Sequence, residues 1–354
     1  MKLIHTSDIH LDSPLTSRLT PLLARERKRE LTATFRAMID DAVRIDAKGF
    51  IIAGDLFDNE NVGLSTLEAV MGFIDAAPEI TFFYLPGNHE KNRLLESGIS
   101  IPENLKMFGE DWTYFKLGEV TVAGKTKITD DAFAKLTLSQ SDINIVTLHG
   151  MLCDRSASPD KIGLREASEL PIDYLALGHY HTYSETKLKT RGTAVYSGTP
   201  EGRGFDEAGD KGYVIIDTDT PCITHTFIKR ASRTLHIVPV DISGADREIE
   251  IENRVTYAIS QINSRDLVRV RLVGEYEPGV KRDTESLTER FSSRFYYFET
   301  KDESRLRISP EDYKNDKSLK GEFIRLVLSK DELSSKEKED IIECGIRALA
   351  GETI

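Results

Sequence analysis

The chain holds only three cysteines, Cys153, Cys222 and Cys344, far apart and odd in number, so neither a disulfide framework nor a thiolate zinc site is expected. No apolar run reaches the roughly 18 residues a membrane helix needs. The opening MKLIHTSDIH lacks the basic segment and apolar stretch of a signal peptide. A cytoplasmic protein with no membrane segment is the expectation. Low-complexity tracts are missing, as are repeats of about 20 to 50 residues, which excludes a solenoid. Positive charge is also in short supply: 47 basic residues against 59 acidic leave a net charge of -12. That is the opposite of a protein gripping nucleic acid through its overall field. The shortage is uneven. From Phe227 onward 23 basic residues face 25 acidic, and before it 24 face 34, so the first two thirds collect the carboxylates.

What is present is globular in character, with 39% apolar and 30% charged residues. A length of 354 residues predicts two or three domains at about 150 residues each. In the first two thirds, short apolar runs alternate with helical stretches, the pattern of an α/β domain. Strands are predicted at LIHTS, GFIIAG, ITFFYLPG, VTVAG, INIVTLHG and DYLALGH, then at Ala194–Tyr196 and Tyr213–Ile216. Apolar residues at three- and four-residue spacing predict helices over Arg25–Ala47 and Leu64–Ala77. The character changes near Lys229–Leu235. Beyond it, TLHIVPV, a helix over Arg247–Ile262, LVRVRLVG, FYYFET and RLRIS suggest a smaller domain ending near Pro310. The remainder reads as helical, with Ser334 or Ser335 as N-cap of a last helix closed by Gly351. Its face of Ile341, Ile342, Ile346 and Leu349 would serve either core packing or a partner.

Polar residues gather just past the apolar strands. Asp8 and His10 follow the first, Gly54, Asp55 and Asp58 the second, and Gly87, Asn88, His89 and Glu90 the third. His149 ends INIVTLHG, and His179 and His181 end DYLALGHYH. Ligands bind beyond the carboxyl ends of strands in open α/β sheets, so separate loops can converge there. Aspartate, histidine and an asparagine amide suit borderline divalent ions, and the set is too large for one tetrahedral ion. Two ions sharing a carboxylate fit better, as in sites that cleave phosphoesters with an activated water. If the Asp-x-His and His-x-His segments are extended, alternate residues point to one side.

The ordered series Asp8-x-His10, Gly54-Asp55-x-x-Asp58, Gly87-Asn88-His89-Glu90, His149 and Gly178-His179-x-His181 resembles the calcineurin-like metallophosphoesterases in all five of their motifs. Within them the chain resembles DNA-repair exonucleases of the SbcD and YhaO type, through HTSDIHLDSPL, GDLFD, YSGTPEGRGFDEAGDKGYVIID, GEFIRLVLS and CGIRALAGE. The resemblance implies an α/β fold: a metallophosphoesterase β-sandwich flanked by helices in four αββα layers, with a small α/β cap domain and a helical C-terminal tail. Residues 1–230 would be catalytic, 231–310 the cap, and 311–354 a segment for dimer or partner contacts. It implies that Asp8, His10, Asp55 and His181 hold one ion, and that Asp55, Asn88, His149 and His179 hold the other. The ions would be Mn2+, with Fe2+ or Zn2+ as alternatives, and a hydroxide bridging them would attack phosphorus. His89 would protonate the leaving oxygen or stabilise the phosphorane. Asp58 departs from the best-studied repair nucleases, which carry a histidine there. A carboxylate can orient His89 but cannot donate a proton while ionised.

Three functions follow as expectations. The first is a metal-dependent DNA exonuclease or endonuclease of DNA repair, working as a homodimer or with an SbcC-like coiled-coil ATPase. The second is a phosphodiesterase of cyclic nucleotides or other small phosphodiesters. The third is a weakly active subunit that recruits an ATPase to DNA. Lys91, Arg93, Arg155, Arg203 and Lys211 lie near the motifs, either to meet a nucleic-acid backbone or as solvated surface charge. His5 would fill a strand position, with His225 and His236 outside the site. Cys153 is expected to be an inert thiol and Tyr180 a packing residue.

Overall fold

The computed structural model describes the chain except residues 16–18, 59–61, 88–89, 91–93, 130, 156–159, 220–221, 277–279, 308–313, 350 and 352–354. It divides into two compact units, Met1–Thr234 and Leu235–Ile354.

The first unit opens with four parallel strands, β1 (Lys2–Thr6), β2 (Gly49–Ile52), β3 (Thr81–Tyr84) and β4 (Leu105–Met107). Helices α1 (Pro21–Arg44) and α2 (Leu64–Asp75) connect β1 to β2 and β2 to β3. α1 starts a turn before its apolar periodicity does. Thr20 caps it, its hydroxyl accepting from the Leu23 amide, and Pro21 occupies a position whose N–H has no helical acceptor. It stops at Arg44, and Asp46 turns the chain with φ of 55°.

A hairpin of β5 (Thr113–Leu117) and β6 (Val120–Gly124) leads to β7 (Ile143–His149). A short pair, β8 (Met151–Cys153) and β9 (Lys161–Gly163), precedes helix α3 (Leu164–Ser168). Then come β10 (Tyr174–Gly178), β11 (Ser184–Lys187), β12 (Thr193–Tyr196), β13 (Gly212–Asp217) and β14 (Thr224–Lys229). They assemble into two six-stranded sheets, in the orders β14-β13-β1-β2-β3-β4 and β11-β12-β10-β7-β6-β5.

Strand alternation explains the layering, because successive side chains leave opposite faces. Ile4, Phe50, Ile52, Phe82 and Tyr84 face α1 and α2, where Leu31, Phe35, Met38 and Ile39 meet them. Their neighbours Leu3, Ile51 and Phe83 join Val122, Ile145, Tyr174 and Ala176 between the sheets. Val146, Leu148, Leu175 and Leu177 face the other way, under Ile128, Phe133 and Ala167 of α3. Two sheets buried on both faces are thus flanked by helices, the metallophosphoesterase arrangement. The consequence for the site is that β1, β2, β3, β7 and β10 end on the same loops that carry the polar motifs.

The second unit is a parallel sheet ordered β15 (Leu235–Asp241), β16 (Leu267–Val273) and β18 (Tyr297–Asp302), with β17 (Glu275–Tyr276) and β19 (Arg305–Leu306) as a separate pair. Helices α4 (Glu248–Ala258) and α5 (Thr284–Ser292) make its crossovers. Helices α6 (Leu319–Leu328) and α7 (Ser335–Leu349) share its core: Ile324, Val327, Ile342 and Ile346 are buried with Val240, Val268, Val270, Leu272 and Phe298. On α7, Ile341 and Leu349 stay exposed. Ser334 is the cap, its hydroxyl accepting from the Glu337 amide while the Glu337 carboxylate accepts from the Ser334 amide at 2.8 Å. Among the described residues, no helix is long and apolar enough to cross a membrane.

Candidate metal centre

The loops after β1 and β2 stay paired beyond their strands. The amides of Asp8, His10 and Leu11 donate to the carbonyls of Gly54, Asp55 and Leu56 at 3.1, 3.0 and 2.9 Å. The expectation of an extended Asp-x-His segment does not hold. Asp8, His10 and Asp55 take φ of 51°, 50° and 50°, and His179 takes 105°. Left-handed backbone costs roughly 1–2 kcal/mol per residue, and aspartate and histidine tolerate it better than branched residues. These turns, not strand alternation, bring the side chains together.

Two glycines let the sheets' loops meet. A Cβ at Gly54, where φ is 93°, would lie 2.2 Å from Nδ1 of His149. A Cβ at Gly178 would lie 1.9 Å from the Ala53 carbonyl oxygen. No larger residue fits either place without displacing a ligand candidate or backbone.

Among the described residues, two groups of donor atoms result, each within 4.8 Å: Asp8, His10 and His181, and Asp8, Asp55 and His149. Asp8 is fully buried, and its carboxylate accepts from the Ser7 hydroxyl at 2.5 Å and the His179 amide at 3.0 Å. Asp8 is common to both groups; Asp55 belongs to the second, and its Oδ2 lies 3.7 Å from Nε2 of His10 and 3.5 Å from Nε2 of His149. His149 turns Nδ1 to the Ala53 carbonyl oxygen at 3.0 Å, and His181 turns Nδ1 to Glu207 Oε1 at 2.7 Å. An Nδ1–H donated this way leaves Nε2 with its lone pair toward the centre. Nε2 of His181 is then 3.7 Å from Asp8 Oδ1 and 3.4 Å from Nε2 of His10. Facing imidazole nitrogens beside two carboxylates are the donor set of a divalent cation, and the residues fit the ions this fold uses. His179 belongs to neither group; its exposed ring stands edge-on to His149 at 5.5 Å between centroids. Asn88 and His89 lie outside the described residues, as do Lys91 and Arg93.

The surroundings shift the titration of several groups. Burial holds His10 below its usual range, with the Arg203 guanidinium adding to the effect. The hydrogen bond to Glu207 raises His181. Burial would push Glu207 up, but hydrogen bonds from His181 and Arg203 bring it down to about 2. Burial lifts Glu90 to about 7, although the amides of Phe57 and Gly87, each at 2.7 Å, stabilise its charged form. Glu90 therefore ties the loop after β2 to the loop after β3.

Other singled-out residues lie partly against this centre and partly away from it. Asp58 Oδ1 accepts from Nη1 of Arg203 at 2.9 Å and lies 3.5 Å from Nδ1 of His10. Arg203 thus faces inward. Lys211 is buried and donates to the His181 carbonyl oxygen at 2.6 Å, which takes it out of the solvated charges. Arg155 is exposed. Cys153 is half-buried, its thiol donating to the Arg155 carbonyl oxygen at 2.9 Å. His5 is buried in β1 against the Tyr174 hydroxyl at 2.9 Å, and burial lowers it to about 3. His225 pairs with Glu185 at 2.7 Å and His236 with Asp266 at 2.9 Å. Tyr180 is 55% exposed, its ring against Tyr196. Sequence reasoning missed Glu207 and Glu90 as supports; nothing in their spacing marks them, although both fall inside segments that carry the family resemblance.

A family model described as calcineurin-like phosphoesterase matches residues 1–207. The chain is similar to the uncharacterized metallophosphoesterase YhaO of Bacillus subtilis, with 26% identity over 289 residues, 76% of this chain and 70% of that protein. It is also similar to the DNA double-strand break repair protein Mre11 of Methanosarcina acetivorans, 26% identical over 231 residues. That match covers 61% of this chain and 36% of the relative, so the chain spans about a third of that relative's length. A solved dimetal phosphatase from Danio rerio is 11% identical with a TM-score of 0.44, over 65% of this chain and 96% of that one.

Proposed function

Because this chain belongs to the calcineurin-like phosphoesterase family, we propose that the phosphoester it hydrolyses is the DNA backbone, with two Mn2+ ions at the carboxyl ends of the strands. One observation carries the phosphodiesterase part: Asp8, Asp55, His10, His149 and His181 converge from four strand ends into two overlapping donor groups. Asp8, His10, Asp55 and His181 would hold one ion, and Asp55, Asn88, His149 and His179 the other. Bound there, two divalent ions supply Lewis acidity, which activates water and offsets the charge of the phosphodiester.

The chain's own residues do the rest. Ala53 and Glu207 set which nitrogen His149 and His181 present. Asp8 is held rigid by Ser7 and by the His179 amide, so its position does not depend on solvent. His89 is the proton donor to the leaving oxygen in this proposal. Asp58 acts by holding Arg203 in place beside His10 rather than by giving up a proton.

DNA as substrate is supported by the similarity to proteins named for double-strand break repair. The excess of acidic residues before Phe227 supports a nuclease that depends on a second copy or a coiled-coil ATPase to hold its substrate, since backbone affinity scales with phosphates neutralised. A panel in Mn2+ tests the proposal: linear duplex, single strand, hairpin, cyclic dinucleotides and bis-p-nitrophenyl phosphate. Cleavage of a DNA substrate is expected. Hydrolysis of cyclic dinucleotides with every DNA left intact would transfer the site to small phosphodiesters.

A further inference from the structure

We infer that Arg203 is a positioning residue that locks His181 toward one ion through the carboxylate of Glu207 and holds the Asp58 carboxylate beside His10, an inference that rests on the two-metal reading above. Its guanidinium spans both acids. Nη1 donates to Asp58 Oδ1 at 2.9 Å, while Nη2 donates to Glu207 Oε1 at 2.7 Å and Nε to the same oxygen at 3.1 Å. Each acid stands behind one imidazole: Glu207 Oε1 accepts from Nδ1 of His181 at 2.7 Å, and Asp58 Oδ1 lies 3.5 Å from Nδ1 of His10, an electrostatic approach without a hydrogen bond. Those two rings present their Nε2 atoms to each other at 3.4 Å. One planar cation therefore closes a ring of five side chains, two of which are ligand candidates of the same ion.

The local chain makes this ring stiff. The Arg203 amide donates to Glu207 Oε2 at 2.8 Å, closing a turn around the 3-10 turn Phe205–Glu207. Side-chain exposure is 19% for Arg203, 20% for Asp58 and 4% for Glu207, so water competes weakly for these bonds. Arginine is required by shape: its fork offers donors on separate nitrogens about 120° apart, whereas lysine is a single point donor. Lysine at this position would satisfy one acid and release the other.

The test is titration of the metal-free, full-length protein with Mn2+ by calorimetry, in wild type, Arg203→Ala, Arg203→Lys, Glu207→Gln and Arg203→Ala/Glu207→Gln. Thermal melting of each metal-free form is measured alongside. Arg203→Ala is expected to weaken one of the two Mn2+ sites by about 10–100-fold and leave the other within about threefold. Arg203→Lys should recover little of that loss, and the double variant should be no weaker than the worse single, as members of one network are not additive. Two-bond 1H–15N spectra of the metal-free protein should show the Nδ1–H tautomer of His181 in wild type and tautomer averaging in Arg203→Ala. A folded Arg203→Ala that binds both ions as wild type does overturns the inference. So does full rescue by lysine, or losses that multiply in the double variant. If Arg203→Ala does not fold, Arg203→Lys carries the same titration, and wild-type affinity at both sites in that variant overturns it equally. Wild type that takes up fewer than two Mn2+ ions removes the two-metal reading itself, a separate failure.

Discussion

His149 and Ala53 meet across 3.0 Å, the imidazole Nδ1 donating to the main-chain carbonyl oxygen at the end of β2. This contact joins the two sheets at their carboxyl edges and turns Nε2 of His149 to Asp55, 3.5 Å away. It is possible because Gly54 and Gly178 leave no Cβ between the loops.

Gly54→Ala should therefore disable the site before it unfolds the protein. A methyl group 2.2 Å from His149 Nδ1, on backbone with φ of 93°, displaces the ring and adds strain of about 1–3 kcal/mol. Hydrolysis of bis-p-nitrophenyl phosphate in Mn2+ should fall by about 10- to 100-fold, the range for a lost support of a metal ligand. Urea unfolding should still show one cooperative folded state for the first unit. Unchanged turnover would mean that the His149 position is not set by this contact.

Asp55 Oδ2 lies within 3.7 Å of a histidine from each donor group, so its loss should cost metal as well as rate. Elemental analysis of Asp55→Ala loaded with Mn2+ is expected to find fewer ions per chain than wild type treated in the same way. Wild-type metal content in the variant would contradict a shared carboxylate.

His89→Ala is expected to behave differently, retaining metal but losing about 10²–10⁴-fold in phosphodiester cleavage, the range of a general acid. Single-turnover rates with manganese and linear duplex measure this. Cleavage at the wild-type rate would remove His89 from the mechanism.

The pair Arg27–Glu201 anchors α1 to the segment after β12. Arg27 Nη2 donates to Glu201 Oε1 at 2.9 Å and to the Gly202 carbonyl oxygen at 2.7 Å, and the Ser232 amide and Thr34 hydroxyl donate to Glu201 Oε2. Side-chain exposure is 2% and 0%. Glu201→Ala leaves the buried guanidinium with Glu30 as its remaining acid and takes the acceptor from the Ser232 amide, and denaturant unfolding should report a loss of about 1–3 kcal/mol. A loss below about 1 kcal/mol would show that water reaches Arg27.

His5 predicts a pH dependence of stability. Burial lowers its folded pKa from 6.5 to about 3, so between these values the unfolded chain binds the proton that the folded chain refuses. The sign is that stability falls as pH drops from 6.5 toward 3, by at most about 1.4 kcal/mol per pH unit from this group. Unfolding of wild type and His5→Gln, compared from pH 7 to pH 4, should show a shallower slope in the variant. Equal slopes would mean that His5 is accessible to protons in the folded state.

Much of this site is legible in one dimension because the physics that creates it is local. An apolar run followed by aspartate, glycine or histidine marks a strand and the loop beyond it, and Asp8, His10, Asp55, His149 and His181 are found that way. The alternation of Leu3 with Ile4, and of Ile51 with Phe50, likewise determines that the sheet of β1 and β2 is buried on both faces. The start of α1 was also written in Thr20 and Pro21, beside an apolar periodicity that begins later. Other features belong to the folded chain alone. Arg203 meets Asp58 across 145 positions and Arg27 meets Glu201 across 174, separations over which no residue pattern specifies a partner. Left-handed turns at Asp8 and His10 replace the extended segment that composition equally permits, because pairing with the loop after β2 selects one backbone conformation. The helices beyond residue 313 join the second unit's core, since an amphipathic face shows that it must be covered but not by what. The sequence by itself determined which groups could do the chemistry and on which side of the strands they lie. Their distances, tautomers and supporting charges were decided only when packing brought remote segments into contact, where hydrogen bonds and burial act through space and not along the chain.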